Sequence, residues 1–258
     1  MTAELSASRA RLLGRLRRRR SREREGLVLA EGIRVAREAL DGGASIRFAV
    51  ASPRALELGA ADLLRELRGS GVEVIELGDS EFDALADTDA PQGLLLVCQE
   101  PRPDLETVFG ANRLLLLDGL QDPGNVGTLV RSAAAFGLEG VVALDGTADP
   151  WGAKAVRASA GTVFQVPLVA SPWATFAAHA GSDDRPLWIA DASGTPVEPG
   201  PTRWALVVGG EGAGVRPEVR EGAEGAVAIP MPGGTESLNA GVAGSILMYA
   251  LTRSGGRS

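Results

Sequence analysis

The sequence predicts two α/β domains in succession, of which the second is built on a mostly parallel sheet. Short apolar segments alternate with amphipathic ones along almost all of the 258 residues, as expected for strands connected by helices. One polar, proline-containing segment, EPRPDLETVFGANR, interrupts this alternation and is the best linker candidate. We therefore expect a first domain over residues 1–104, a linker over 105–112 and a second domain over 113–258.

The first domain begins with an arginine-rich segment whose leucines, Leu5, Leu12, Leu13 and Leu16, mark one side of an amphipathic helix. Strands are then predicted at GLVLAEG, IRFAVAS, VEVIEL and GLLLVCQ. Between them, helices are predicted at GIRVAREAL, PRALELGAADLLRELRGSG and DSEFDALAD. The order is that of a small α/β domain.

The second domain continues the alternation with more uniformly apolar strands. Strands are predicted at RLLLLD, GVVALD, VFQVPLV, PLWIAD, WALVVGG and AVAIPM, and helices at NVGTLVRSAAAFG, WGAKAVRASAG, PWATFAAHAG, RPEVREG and SLNAGVAGSILMYAL. Strands that are apolar on both faces are typical of a parallel sheet covered by helices.

The composition excludes several kinds of site. Cys98 is the only cysteine and lies in an apolar run, so we expect a buried core side chain and no disulfide, cysteine zinc site or iron–sulfur cluster. His179 is the only histidine and lies away from polar clusters, which argues against a Ser–His–Asp triad. No metal site is expected. No apolar run approaches the roughly 18 residues needed to span a bilayer, and no secretory signal is apparent, so a cytoplasmic protein is expected.

Charge is distributed unevenly along the chain. Residues 1–25 carry nine arginines and three glutamates, a balance of +6, so a total of −7 leaves −13 for the remainder. A basic arm on an acidic body favours phosphate contact. Simple solvation of an amphipathic helix is an equally open interpretation. The candidate RNA contacts in the arm are Arg17, Arg18, Arg19, Arg20 and Arg22.

Ligands of open parallel sheets bind beyond the carboxyl ends of the strands, so the segments that follow the strands were compared. In residues 114–137, Asn125 precedes a predicted helix as a cap or a ligand-facing amide, and Arg131 points away from the apolar side of that helix. Arg131 is either a solvated side chain or a functional one.

Two further segments follow apolar strands. WALVVGGEGAGV runs into four glycines around Glu211, a tight turn or a site of close ligand approach. AVAIPMPGGTESLNAGVAG ends a strand in a Pro- and Gly-rich loop, after which Ser237 or Asn239 is the expected helix cap.

Together these segments resemble the three motifs of the SpoU, or TrmH-like, branch of the knotted RNA methyltransferases, in the right order over residues 113–252. The first motif fits Asn125, Arg131, Phe136 and Gly137. The second fits Gly209, Glu211, Gly212 and Gly214, and the third fits Ile229, Pro230, Met231, Ser237, Leu238 and Asn239. The chain departs from the family pattern at Gly210 and at Ala240–Gly241, where the family usually has Asn and Val-Ser.

The resemblance implies a C-terminal domain with a deep trefoil knot, and transfer of a methyl group from S-adenosylmethionine to a ribose 2′-hydroxyl. It implies that the cofactor is bound by Gly209, Gly210, Glu211, Gly212, Gly214, Ile229, Met231 and Leu238. Catalytic roles fall to Asn125, Arg131, Glu211, Ser237 and Asn239, with Arg131 as base or as phosphate clamp. Lys154 and Arg157 fall near the RNA substrate.

The N-terminal half is similar to the ribosomal-protein-like RNA-binding domain of the ribosomal RNA branch, which favours 23S ribosomal RNA as substrate. Knotted relatives pair through their second and third motifs, and we expect a homodimer because Leu247, Met248 and Leu251 are not expected to share one core-facing side. Three alternatives stay open: a catalytically silent knotted RNA-binding protein, a tRNA ribose methyltransferase, and a methyltransferase acting on a base nitrogen.

Overall fold

The computed structural model describes residues 5–180, 184–235 and 237–253, and the chain divides into two compact units. The first unit contains the chain up to Pro101 together with Trp151–Gln165, and the second contains Arg102–Pro150 and the chain from Val166 onward. The segment Trp151–Gln165 therefore groups with the first unit, although the sequence placed it in the second domain.

The helices are α1 Ala7–Leu16, α2 Arg19–Glu25, α3 Ile33–Asp41, α4 Pro53–Glu57, α5 Ala61–Gly69, α6 Asp79–Leu85, α7 Leu105–Phe109, α8 Pro123–Ala135, α9 Ala153–Ala158, α10 Trp173–Ala180, α11 Pro217–Glu221 and α12 Ala240–Thr252. The strands are β1 Leu27–Glu31, β2 Ile46–Ala51, β3 Val74–Glu76, β4 Leu94–Gln99, β5 Arg113–Asp118, β6 Gly140–Ala143, β7 Leu168–Ala170, β8 Leu187–Pro196, β9 Trp204–Gly209 and β10 Gly225–Ala228.

The first unit is built on a mixed four-stranded sheet in the order β1-β4-β2-β3. Strand β4 runs antiparallel to both β1 and β2, whereas β3 is parallel to β2. Leu13 and Leu16 of α1 are buried with Phe48, Ile75 and other side chains of this sheet, so the basic arm is anchored by its apolar side. The long helix predicted after β2 is divided into α4 and α5 at Gly59, whose φ of +88° does not continue a helix.

Close backbone approach explains why Trp151–Gln165 joins the first unit. A Cβ atom at Gly161 would lie 2.8 Å from the Val35 carbonyl oxygen of α3, a distance that only glycine tolerates without a shift. Helix α9 packs on β1, and the ring of Trp151 contacts that of Phe164 within the segment. The strand predicted at VFQVPLV is correspondingly shortened to a 3₁₀ turn over Thr162–Phe164 followed by β7.

The second unit is built on a six-stranded sheet in the order β10-β8-β9-β5-β6-β7, with every neighbouring pair parallel. The predicted fold class, a mostly parallel α/β domain after a small α/β domain, is confirmed. Because all six strands run in one direction, the carboxyl ends of β5, β8 and β9 lie at the same edge. The trefoil knot stays a prediction.

Helices α8 and α12 lie side by side on this sheet at very short range. A Cβ atom at Gly244 of α12 would lie 2.4 Å from Leu129 of α8 and 2.9 Å from Val208 of β9. The Ser132 and Ser245 hydroxyls are 2.7 Å apart, and the Phe136 and Tyr249 rings are 5.6 Å apart further along the same contact. The two helices therefore run in parallel, in a fixed register.

The expectation that Leu247, Met248 and Leu251 cannot share one core is wrong. All three are buried. At about 100° per residue, these three positions fall within roughly 100° of the helix circumference, so their side chains face the sheet together. The exposed apolar side chains near this helix are instead Leu238, Val242, Ile246 and Tyr249.

Cys98 is fully buried in β4, as predicted, and burial raises the pKa of its thiol to about 12. No helix among the described residues is long and apolar enough to cross a membrane.

The contact at Gly244 predicts a specific sensitivity. Gly244→Ala forces Leu129 or Val208 to move and should lower the free energy of unfolding of the second unit by about 1–3 kcal/mol, the usual cost of overpacking. Urea denaturation followed by tryptophan fluorescence measures this. Gly225→Ala is the matched control, since a Cβ there meets nothing within 4 Å; equal losses in the two variants would contradict the close contact.

Candidate active site

A cavity of about 360 Å³ lies at the carboxyl ends of β9 and β10, beside the middle of β8. Its walls are the glycine-rich turn after β9, the segment after β10 and the start of α12. It is lined by Gly209, Gly210, Glu211, Gly214, Ile229, Met231, Ser237, Leu238 and Asn239, among other residues. Of the predicted cofactor-binding residues, Gly212 alone is absent from this cavity.

The glycine-rich turn doubles back on itself to form one wall. The Gly214 amide donates to the Gly210 carbonyl at 2.9 Å, and a Cβ atom at Gly209 would lie 2.4 Å from the Gly214 carbonyl carbon. A Cβ atom at Gly210 would lie 2.8 Å from the Gly119 carbonyl oxygen. The departure from the family pattern at Gly210 therefore has a local cause, because the backbone of the β5–α8 loop occupies the space of a side chain.

A second cavity, of about 640 Å³, lies on the other side of this turn, at the ends of β5 and β6. It is lined by Asp118, Gln121, Asp122, Asn125, Asp145, Glu211, Gly212 and Arg216, among others. Gly210, Glu211 and Gly214 border both cavities. Two ligands bound in these cavities would thus meet at Glu211.

Glu211 joins the three motifs through one carboxylate oxygen. Its Oε1 accepts a hydrogen bond from Asn125 Nδ2 at 2.6 Å and another from Asn239 Nδ2 at 3.0 Å. Within the described part of the chain, Oε2 has no hydrogen-bond partner. Two side-chain amides therefore hold Oε1 in place, and Oε2 is available to a ligand.

Asn125 does not precede its helix, as the sequence suggested, but lies in the first turn of α8. The cap is Asp122, whose Oδ1 accepts from the Gly124 amide at 3.1 Å, and Pro123 starts the helix. Asn125 is 6% exposed, and its amide is committed to Glu211. Its interpretation as a simple cap is therefore wrong.

Asn239 is the cap of α12, as one interpretation of the sequence held. Its Oδ1 accepts from the Val242 amide at 3.2 Å while its Nδ2 donates to Glu211. A Cβ atom at Gly241 would lie 3.0 Å from Asn125 Oδ1 and 3.1 Å from Asn239 Oδ1. The serine usual in the family at this position is thus replaced by a residue that leaves room for two amides.

Three further carboxylates, which were not predicted, line these cavities. Asp118 ends β5, Asp145 follows β6 and Asp191 follows the apolar first residues of β8, so the rule that located the three motifs could have found them. Asp118 is fully buried and accepts from the Arg216 backbone amide at 2.8 Å and from Arg216 Nε at 2.6 Å. This ion pair holds Arg216 against the end of β5, where both residues line the second cavity.

Asp191 is the missed carboxylate of the first cavity. The Ser193 backbone amide, the Arg220 guanidinium and the Ser193 hydroxyl donate to it, and these bonds lower the pKa of Asp191 to about 2. The cavity therefore has an ionised carboxylate on the β8 side, in an ion pair with Arg220.

Arg131 lies outside the Glu211 cluster, the group formed by Glu211, Asn125 and Asn239. It is exposed, borders neither cavity and makes no hydrogen bond or ion pair with other described residues. Six residues separate it from Asn125, which places it about 9 Å further along α8 and about 120° around the helix. Its outward direction is as predicted, and its role stays a prediction.

The candidate RNA contacts all lie in the first unit. Arg18, Arg19 and Arg20 are exposed where α1 meets α2, and Arg17 is exposed but donates to two carbonyls of the chain after α6. Arg22 is only 6% exposed and donates to the Leu16 and Arg17 carbonyls, so it joins the two helices and is removed from the candidates. Lys154 is exposed and Arg157 is partly exposed on α9.

Comparison with known proteins agrees with this geometry. The model of the SpoU rRNA Methylase family matches residues 112–249, and that of the MRM3-like substrate binding domain matches residues 8–96. The 23S rRNA (guanosine(2553)-2′-O)-methyltransferase RlmP of Bacillus subtilis is 36% identical over 70% of this chain and 73% of its own. The 23S rRNA (uridine(2479)-2′-O)-methyltransferase of Streptomyces viridochromogenes is 29% identical over 90% and 82%.

Among solved structures, the SpoU methyltransferase AviRb from Streptomyces viridochromogenes, in complex with AdoMet, is similar to this chain. It superposes with a TM-score of 0.80 at 26% identity, covering 96% of this chain and 97% of that one.

The lowered pKa of Asp191 predicts a pH-dependent contribution to stability. A carboxylate whose pKa is lower in the folded state stabilises that state above its ordinary pKa, near 3.8, and stops doing so as the pH falls through about 2. Asp191→Asn should therefore lower the melting temperature at pH 7, and the difference from wild type should shrink below about pH 4. The control is Asp184→Asn, which removes a 94% exposed partner of Arg203. Its melting temperature should differ little from that of wild type at any pH. A deficit in Asp191→Asn that is constant with pH would contradict the pKa.

Proposed function

This chain belongs to the SpoU rRNA methylase family, and on that premise we propose that it transfers a methyl group from S-adenosylmethionine to a ribose 2′-hydroxyl of ribosomal RNA. The observation that carries the proposal is the shared wall of the two cavities. Glu211, held by Asn125 and Asn239, stands between a cavity suited to the cofactor and a cavity suited to the acceptor nucleotide.

The first cavity fits S-adenosylmethionine in both shape and chemistry. Its volume is in the range of small-molecule sites, and its walls combine apolar Ile229, Met231 and Leu238 with backbone groups of the glycine-rich turn. Glycine at positions 209 and 210 lets this turn close against Gly214 and against the β5–α8 loop, so that backbone groups rather than side chains form this wall. Asp191 adds a fixed carboxylate for the cationic end of the cofactor.

S-adenosylmethionine supplies a methyl group already activated by its positively charged sulfur, so the protein has to orient the ribose hydroxyl and assist loss of its proton. Asn125 and Asn239 hold Glu211 in a single orientation, and its second oxygen, Oε2, accepts a hydrogen bond from the ribose. Ser237 borders the same cavity and adds a hydroxyl near this point. Positioning by groups that are already fixed costs little reorganisation when the nucleotide binds.

Ribosomal RNA is the substrate class that the relatives support. The two relatives named above modify guanosine and uridine of 23S rRNA, respectively, and the N-terminal match is to a substrate-binding domain. The residues that line the second cavity present amide and carboxylate groups suited to a nucleoside. The alternative of a catalytically silent RNA-binding protein is disfavoured by the Glu211 cluster, because a protein that only binds RNA has no need of a carboxylate held between two cavities.

The active form is a homodimer that pairs through α12. Leu238, Val242, Ile246 and Tyr249 are between 38% and 53% exposed and form one apolar stripe on the side of α12 away from the sheet. Exposed apolar surface of this kind marks an interaction site. The stripe begins at Leu238, which lines the cofactor cavity, so pairing would also cover that cavity.

Arg131 would then act from the partner chain. It is exposed on α8 next to Ser132, whose hydroxyl meets that of Ser245 in α12, so it lies at the same level along the helix pair as the centre of the apolar stripe. A guanidinium in that position cannot reach Glu211 of its own chain along the helix, but it enters the shared surface when two chains pair. There it clamps a phosphate of the substrate and stabilises charge on the ribose oxygen.

Methyl transfer tests the function and the role of Arg131 together. With tritiated S-adenosylmethionine and ribosomal RNA, wild type should label a nucleotide whose 3′ phosphodiester resists alkaline hydrolysis. Arg131→Ala should slow single-turnover transfer by at least roughly 100-fold, the scale of a lost oxyanion or acid–base group, while cofactor binding by calorimetry is kept. Arg203→Ala, which removes an exposed arginine paired with Asp184, should be silent.

Mixed dimers separate the two locations of Arg131 within that same experiment. The experiment uses a refolded equimolar mixture of Arg131→Ala and Glu211→Gln chains, in which half of the dimers contain one chain of each kind. If Arg131 acts in the partner's site, each mixed dimer has one intact site of two, and the mixture should recover about a quarter of wild-type activity. No recovery would place Arg131 in its own chain's site. An alkali-sensitive product would overturn the 2′-hydroxyl assignment itself.

Substitution within the stripe tests the dimer. Ile246→Glu places a charge in the centre of the stripe and should give a monomer by light scattering at micromolar concentration, with wild type at twice the mass. Leu58→Glu changes a more exposed leucine of the first unit, 55% against 40% for Ile246, and should leave the mass unchanged. A wild-type chain that is already monomeric would refute the proposal.

A further inference from the structure

The first unit contains a cavity that neither the motifs nor the proposed reaction uses. It has a volume of about 250 Å³ and lies where β1 turns into α3. Glu31, Arg34, Thr88, Gln92 and Arg157 supply its polar lining. Two of these residues are arginines from segments far apart in sequence, so the fold assembles the cavity rather than one stretch of chain.

Glu31 organises the cavity without presenting a free oxygen to it. The side chain is 6% exposed; its Oε2 accepts from the Asp87 amide at 2.9 Å and its Oε1 from the Thr88 hydroxyl at 2.7 Å. The carboxylate therefore fixes the loop between α6 and β4 against the end of β1. Its charge is further offset by Arg157, whose Nη1 lies 3.9 Å from Oε2.

The groups left available at this cavity are mainly hydrogen-bond donors. Arg34 is exposed in the first turn of α3 and has no ion pair or hydrogen bond with the rest of the described chain. Gln92 accepts from the Ile33 amide through Oε1 at 2.8 Å, which leaves its NH₂ group as the free end. Arg34 and the Gln92 amide are therefore free to bind an anion, and Arg157 lines the same cavity in an ion pair with Asp87 that an anion can replace.

The same loop connects the cavity to the basic arm. Arg17 Nη2 donates to the Leu85 and Ala86 carbonyls at 2.8 and 2.7 Å, immediately before Asp87 and Thr88. Arg18 and Arg20 are exposed near Arg17 in the basic arm. One loop of the first unit therefore contacts the basic arm through Arg17 and α9 through Arg157.

We propose that Arg34, Gln92 and Arg157 bind a backbone phosphate of the substrate RNA, and that the RNA strand continues over the loop to Arg18 and Arg20. The inference rests on the proposed function, because it assumes that RNA is the ligand. A phosphodiester with its ribose suits a cavity of this size, and forked guanidinium groups are its usual partners.

Asp87 is the acidic group that opposes this binding. Its Oδ2 lies 3.2 Å from Arg157 Nη1, and its side chain is 37% exposed, so it occupies the guanidinium in the absence of RNA. A bound phosphate takes over this donor. Removing the carboxylate should therefore strengthen RNA binding, whereas removing either arginine should weaken it.

The salt dependence of RNA affinity tests the proposal in the full-length protein. The probe is a fluorescein-labelled RNA hairpin of mixed sequence. Its dissociation constant is measured by anisotropy between 50 and 300 mM KCl, a range over which the Debye length falls from roughly 14 to roughly 6 Å. Arg34→Ala should reduce the slope of log K against log salt by about 0.7–0.9, the value of one lost phosphate contact. Asp87→Asn should raise both the affinity and the slope.

A matched pair on α5 controls for general charge effects. Arg65 and Asp62 form an exposed ion pair at 2.9 Å, and α5 packs on β3, at the opposite edge of the sheet from β1. Arg65→Ala and Asp62→Asn make the same charge changes and should leave the slope within error. Equal slopes for Arg34→Ala and Arg65→Ala, or equal affinities for Asp87→Asn and Asp62→Asn, would overturn the proposal.

Failure of this site and failure of the proposed function give different results. In one outcome, wild type methylates ribosomal RNA and binds the hairpin in a salt-dependent manner while Arg34→Ala binds it with the same slope. That result refutes the phosphate site alone. If wild type neither binds RNA nor transfers a methyl group, the proposed function is refuted and this site with it.

Discussion

The two hydrogen bonds that Glu211 accepts through a single oxygen hold the second unit's site together. They connect the first turn of α8, the turn after β9 and the first residue before α12, which lie far apart in sequence. The close packing of α8, α12 and β9 at Gly244 sets the distance at which these bonds can form. The turn after β9 borders both cavities, and Glu211 ties it to α12 beside the first cavity and to α8 beside the second. A shift of either helix would therefore move the wall that the two cavities share.

Much of the fold follows from local sequence. Uniformly apolar strands separated by amphipathic helices were sufficient to predict two α/β units and a parallel sheet in the second. The grouping of Trp151–Gln165 with the first unit was not predicted, because it depends on contact between Gly161 and α3, a tertiary fit that periodicity does not encode. Likewise, Leu247, Met248 and Leu251 fit one buried side once the crossing of α12 over the sheet is known.

The candidate site was predicted in part, for a physical reason. Glycines, amides and one carboxylate after the strands marked the residues that meet at Glu211, because parallel strands bring their carboxyl ends to one edge. Asp191 was missed although it follows equally apolar residues at the start of β8, since its significance comes from the Ser193 and Arg220 donors that keep it ionised. The direction of Arg131 could be predicted from its helix, but its distance from the cluster required the structure.

The burial of Cys98 has a practical consequence for observing this molecule. The only thiol of the chain lies fully inside β4, and a pKa of about 12 keeps it protonated and poorly nucleophilic at neutral pH. A cysteine introduced on the surface would therefore react with a maleimide dye essentially alone, with the natural residue left in place. Fluorescence or spin-label distances between the two units can thus be measured on a background that needs no cysteine-free variant.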